Sequence, residues 1–209
     1  MYGYVTEGRG SIGVVTIRGV PFLQAELPTA GAFCRFRRRR LWRQLLRAGV
    51  RCCVIPQEWD TEAAHWGISP VEVLPLRLAL LDDMLDLCPN VRYGTAALYA
   101  RHADAGVYRA AEILARRARY VTLRVDEGGE ALAQTLYCRY GLCAGGRGEA
   151  TVILDFTGTV RGALRLDEKG EAAYEVDGKP MPERMAAALF TAQVLQKGEI
   201  RIKSLPINA

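Results

Sequence analysis

Asp155 closes the apolar run Val152-Ile153-Leu154 and is followed at once by Phe156-Thr157-Gly158-Thr159. A carboxylate at the end of a buried strand, with hydroxyls and a glycine in the turn beyond it, is a polar strand-end turn of the kind where open α/β sheets place ligands. The second group with chemical potential is Arg35-Phe36-Arg37-Arg38-Arg39-Arg40-Leu41-Trp42-Arg43. Guanidinium groups bind phosphates and carboxylates with matched, two-pronged geometry. At about 100° per residue, Leu41, Trp42, Leu45 and Leu46 share one helix face, while Arg39, Arg40, Arg43 and Arg47 share another. Arg35 and Arg38 intrude on the apolar side, and Phe33 and Phe36 fall among the arginines. Such a helix suits nucleic acid or an acidic partner protein; its other outlet is internal pairing with Asp82, Asp83 and Asp86.

Val152 to Thr159 resembles the phosphorylation motif of P-type ion pumps and, more loosely, the first motif of haloacid-dehalogenase-type phosphotransferases. The resemblance implies that Asp155 is a nucleophile and that the following Thr-Gly-Thr helps position phosphate and magnesium. Phe156 stands where the pumps carry lysine, and the 54 residues that follow lack the downstream lysine and paired aspartates in order. On this reading Asp155→Asn abolishes activity and leaves a binding protein folded.

Gly8-Arg9-Gly10-Ser11-Ile12-Gly13 matches the dinucleotide fingerprint GxGxxG letter for letter. That fingerprint works only between a strand and a helix. Here the β-branched run Val14-Val15-Thr16-Ile17 follows, so a glycine-rich turn between two strands is expected. The segment from about 94 to 156 resembles Rossmann-like domains in its strand–helix alternation, with Asp126 where such folds hold ribose hydroxyls. Its first connection, Arg101-His102-Ala103-Asp104-Ala105-Gly106, has one glycine, and Asp104 reads as a helix cap that repels phosphate. The second, Asp126-Glu127-Gly128-Gly129-Glu130, surrounds its glycines with carboxylates. The phosphate-binding chemistry is missing, and no cofactor is expected.

The elements that must position these residues follow from periodicity. Strands near 13–18, 50–55, 94–100, 119–125 and 151–156 alternate with helices. The expected fold is α/β: a mostly parallel, Rossmann-like (doubly wound) sheet with helices on both faces, plus a C-terminal β-hairpin, helix and strand. The opening strand, 2–7, is expected to pair with 12–18. A helix over 29–48 closes at Gly49, and Ser69-Pro70-Val71-Glu72 reads as a helix start, with Pro75 giving a kink or a first turn that is not fully α-helical. Residues 163–166 and 172–176 suggest a hairpin, followed by a helix over 182–196 and an alternating strand over 199–205. The expected organisation is an N-terminal βα lobe, 1–90, carrying the arginine-rich helix, and a βαβαβ unit with its extension, 91–209, divided near Pro89-Asn90; a single packed domain is the alternative.

Net charge is +5, yet residues 27–57 alone hold eight arginines and no acid. The basic character is therefore one local patch. Half the residues are hydrophobic and 24% are charged, which excludes a disordered chain. No apolar stretch reaches the roughly 20 residues of a membrane span. The start lacks a secretory signal, and Cys34, Cys52, Cys53, Cys88, Cys138 and Cys143 show no CxxC or zinc spacing. Reduced thiols and a cytoplasmic location are expected. His65 and His102 lack a second ligand at helical or loop spacing, so no metal site is expected.

The sequence therefore points to a non-catalytic ligand- or partner-binding protein on a Rossmann-like scaffold. A diverged phosphotransferase or dehydrogenase-like enzyme, and nucleic-acid binding through the arginine-rich helix, are the alternatives. The ligand-facing candidates are Glu58, Asp60, His102, Asp104, Asp126, Asp155 and Thr157 in strand-end loops. They are acidic as a set and suit a neutral or cationic ligand. Self-association through the strand over 199–205 is a further expectation.

Overall fold

Arg18 and Gly19 both occupy left-handed backbone, with φ of 50° and 83°. That two-residue turn reverses the chain and pairs β2 (Ile12–Ile17) antiparallel with β3 (Val20–Leu27). The structure, a computed structural model, describes residues 1–31, 33–88, 94–142, 149–167 and 170–207. Among them it forms a mixed α/β fold of six helices and three sheets, one wholly parallel. No helix is long and apolar enough to cross a membrane. Two compact units share the chain: Met1–Val73 with Pro182–Gln196, and Leu74–Met181 with Lys197–Ala209. Pro89 and Asn90 lie outside the described residues.

In the first unit β1 (Tyr2–Glu7) pairs with β3, in parallel, and not with β2 as its sequence position suggests. The segment over 20–27, which alternation alone leaves unassigned, is the strand that joins them. Glu26 on β3 anchors the glycine-rich connection by accepting from Ser11 Oγ at 2.8 Å and from the Arg9 amide. Gly13 lies within β2, so the GxGxxG letters run from strand to strand and meet no helix N-terminus.

Helix α1 (Cys34–Arg47) is five residues shorter at its start than expected and stops where expected. Gly49 takes φ 77°, its amide bonds Leu46 O, and Val50 N bonds Leu45 O, which is the Schellman closure. A short strand, β4 (Cys52–Val54), follows, then a 3₁₀ turn and α2 (Asp60–His65). Ser69-Pro70 is not a helix start. It forms β5 (Ser69–Pro70), because Ser69 N and Val71 N donate to Arg51 O and Cys53 O. Pro70 sits between those donors, where its missing N–H costs no ladder bond. The sheet order is β2-β3-β1-β4-β5. Val5, Leu27, Trp42, Leu45 and Ile55 pack in its core.

The second unit begins with α3 (Leu74–Leu87), whose Pro75 falls harmlessly in the first turn. Then come β6 (Thr95–His102), α4 (Ala105–Arg117), β7 (Tyr120–Glu127), α5 (Gly129–Tyr140), β8 (Val152–Asp155) and β9 (Leu164–Arg165). These strands form the parallel sheet, in order β7-β6-β8-β9. The hairpin expected between 163–166 and 172–176 is absent. β9 instead joins β8, and β10 (Ala173–Val176) turns at Asp177-Gly178, φ 52° and 74°, into β11 (Lys179–Met181). Helix α6 (Glu183–Thr191) belongs to the first unit, and β12 (Ile200–Ser204) pairs with β10 in the second.

Arg77 on α3 is fully buried and donates to the carbonyls of Arg165, Asp167 and Gly170. It ties helix, β9 and the following loop together within the second unit. Removing a buried cation strands its acceptors. Arg77→Met should therefore lower stability by about 3 kcal/mol or more, read as a fall in urea midpoint at unchanged slope.

Candidate functional site

In the second unit the chain leaves β6 for β7 on one side and returns to β8 on the other. This reversal is a topological switch point, where open α/β sheets hold ligands outside the strand ends. Five of the expected site residues, His102, Asp104, Asp126, Asp155 and Thr157, lie at these ends. His102 Nδ1 is 2.9 Å from Glu127 Oε2, with both side chains largely exposed, a pair of small energetic weight. Asp104 caps α4, accepting from Val107 N at 2.9 Å, and so spends its carboxylate on the amides an anion would need. Asp126 is exposed on β7.

Asp155 is buried completely. One carboxylate oxygen accepts from Thr157 N at 2.7 Å and Thr157 Oγ1 at 2.6 Å, and the other from Val160 N at 2.7 Å. Burial pushes its pKa up, but the Thr157 hydroxyl and the amides of Val160, Thr157 and Gly158 together outweigh that and hold it below the ordinary value. Thr157 Oγ1 also lies 2.6 Å from Thr159 Oγ1. Gly158 takes φ 71°, and a Cβ there would meet Asp167 and Arg165, which are joined by bonds of 2.7 and 2.5 Å. The Asp-Phe-Thr-Gly-Thr segment is thus a closed polar turn, with its carboxylate facing inward.

Glu58 and Asp60 belong to the first unit, so the expected ligand-facing set is divided between two units. Glu58 is exposed in the 3₁₀ turn. Asp60 receives both Arg184 Nη atoms, at 2.5 and 2.6 Å, while the buried Arg184 also donates to Ile55 O. The role of Asp60 is to hold α6 within its unit. Burial pushes the Cys53 thiol up to about 12 and raises Cys52 as well, so neither is a ready nucleophile. Cys143 lies outside the described residues. No cluster of His, Cys, Asp and Glu able to hold a metal occurs among the described residues. β12 is an edge strand, but Arg201 and Lys203 are exposed on it, and charge on an edge opposes pairing.

The first unit carries the other arrangement. Leu41, Trp42 and Leu45 of α1 are buried, which turns Arg39, Arg40, Arg43 and Arg47 outward. Between α1 and α2 lies a cleft of about 420 Å³ lined by Arg35, Arg38, Arg39, Thr61, Glu62, His65 and Trp66. The guanidinium of Arg38 stacks 5.0 Å over the Trp59 ring, with Nε 3.5 Å from Glu62 Oε1. The same Glu62 oxygen accepts from Trp42 Nε1 at 3.0 Å. The cleft's single carboxylate is therefore committed, and Arg35 and Arg39 have no carboxylate partner among the described residues. The acids that sequence offered as internal partners are taken by others: Asp82 and Asp86 pair with Arg117, and Asp83 with Lys197.

Helical periodicity gives the arginine face of α1 but not its counter-wall. Thr61, Glu62, His65 and Trp66 share one side of a short helix, a spacing that was legible; that this side meets α1 was not. No protein-family model matches the chain, and no curated protein or solved structure matches it.

Proposed function

We propose that the protein binds an anionic partner through α1 and the cleft between α1 and α2, and does no chemistry on it. The observation that carries this reading is the outward arginine face, whose Arg35, Arg39, Arg40, Arg43 and Arg47 find no carboxylate among the described residues. A protein keeps several uncompensated guanidiniums on one face at a cost in self-repulsion, and an anionic partner removes that cost. Unit 2, on this reading, is a Rossmann-like scaffold without a phosphate loop, in a cytoplasmic protein with reduced thiols. A phosphotransferase has less support, since Asp155 is enclosed and hydrogen-bonded on both oxygens. A cationic ligand at the strand ends would find Asp104 and Asp155 already engaged.

The test is fluorescence anisotropy of labelled polyglutamate and labelled oligonucleotides titrated with the full chain at rising salt. Binding to at least one polyanion that weakens steeply as salt rises is expected. Absence of binding to every polyanion at about 50 mM salt would remove the proposal.

A further inference from the structure

We propose that the anionic partner is single-stranded nucleic acid, its phosphates lying along an arginine row on α1 and its bases stacking on aromatic rings beside it. This deepens the anion-binding reading and rests on it. Arg35, Arg39, Arg43 and Arg47 recur at four-residue intervals, so each stands about 6 Å along the axis from the last. All are exposed. That interval is commensurate with the phosphate repeat of an extended strand, and it lets successive guanidiniums meet successive phosphates.

Charge alone would suit an acidic peptide equally well; the aromatic groups distinguish the two. Phe33 and Phe36 are 79% and 63% exposed, at the N-terminal end of the row. Phe36 is one turn from both Arg39 and Arg40. Phe33 also sits at φ 64°, in left-handed backbone that a bulky side chain rarely adopts. Two rings held out in water among arginines do nothing for the core, whereas base stacking gives both a partner. The cleft adds the edge of a third surface: Trp66 and His65 meet edge to face at 6.0 Å beside Thr61 and Glu62. Its size admits one base, whose exocyclic groups find the Thr61 hydroxyl there. A duplex keeps its bases stacked on each other and leaves Phe33, Phe36 and the cleft unused.

The experiment compares a short fluorescein-labelled oligo-dT, a duplex of the same length and labelled polyglutamate, each titrated with the full chain. The expected result is oligo-dT binding at least about tenfold tighter than duplex, with affinity falling about 50-fold between 50 and 200 mM salt if four phosphates are engaged. Phe33→Ala with Phe36→Ala should weaken oligo-dT binding at least about tenfold and leave polyglutamate and duplex binding unchanged. Both side chains are exposed, and an unchanged melting curve confirms the fold. Equal or tighter duplex binding, or indifference to the double substitution, overturns the proposal. Binding of polyglutamate without oligonucleotide also overturns it while leaving the anionic-partner reading standing. Silence with all three probes ends both.

Discussion

Reversing charge at Arg39, Arg40 and Arg43 together should lower oligonucleotide affinity by at least about a hundredfold at low salt. Each arginine that meets a phosphate of a single strand contributes about 0.7 to the logarithmic salt slope, so that slope should also become shallower by about 1.4 to 2.1. A bare loss of affinity is less informative than that change in slope, because slope reports how many phosphates are engaged. All three side chains are exposed, and α1 is anchored from its other face by Leu41, Trp42 and Leu45, so folding should survive. Arg161 and Arg201, exposed in the second unit, provide the control. Reversing them changes net charge without touching α1. Should they weaken binding as much, the effect belongs to the charge of the whole molecule, and the face has no special standing.

The second large effect concerns Asp155, and it reverses what the motif alone suggests. Read as a nucleophile, Asp155 could become asparagine at no cost to the fold. In the structure both carboxylate oxygens accept from Thr157, Val160 and Gly158 while fully shielded from water. Asparagine would turn an amide N–H₂ toward one of those donors, and alanine would leave them all unpaired. Asp155→Ala should cost about 3–5 kcal/mol and Asp155→Asn somewhat less. Both should appear as a lower urea midpoint at unchanged slope. An unchanged midpoint in Asp155→Ala would mean the turn holds without its carboxylate.

The same bonds set a pH dependence. The folded pKa of Asp155 lies below its ordinary 3.8, so the contribution is fully present above that value. It is lost as pH falls from there through the folded pKa, because the unfolded chain then binds the proton more readily. The wild-type protein should therefore lose more stability than Asp155→Ala on acidification below pH 3.8. Near neutral pH the difference between the two should not vary with pH.

Particular residues show where sequence reading succeeds. Asp104 caps α4, Gly49 takes left-handed backbone past α1, and the apolar runs at β6, β7 and β8 are parallel strands. Each depends on neighbours within about one turn of helix or a single strand, where local sterics and hydrogen bonding decide. The errors share a different origin. Ser69-Pro70 has the letters of a helix start, yet two bonds to residues 51 and 53 draw it into a sheet edge. β1 lies nearest β2 in sequence but pairs in parallel with β3, a long-range partner that the glycine-rich connection between β1 and β2 does not specify.

The candidate sites divide along the same line. The sequence alone sets the arginine face of α1, since helical periodicity opposes those arginines to Leu41, Trp42 and Leu45. It also determined that the glycine-rich segment near residue 10 lacks the helix a dinucleotide needs. Packing of the folded chain turns Asp155 inward, sets Arg184 on Asp60, and brings Arg38 to Glu62 over Trp59. The contacts of Asp60 and Arg38 join positions 21 to 124 residues apart. The Asp155 turn is local in sequence, but its burial is not. Periodicity says which side of an element is apolar; what that side or its opposite meets depends on how the whole chain packs, and no local pattern encodes it.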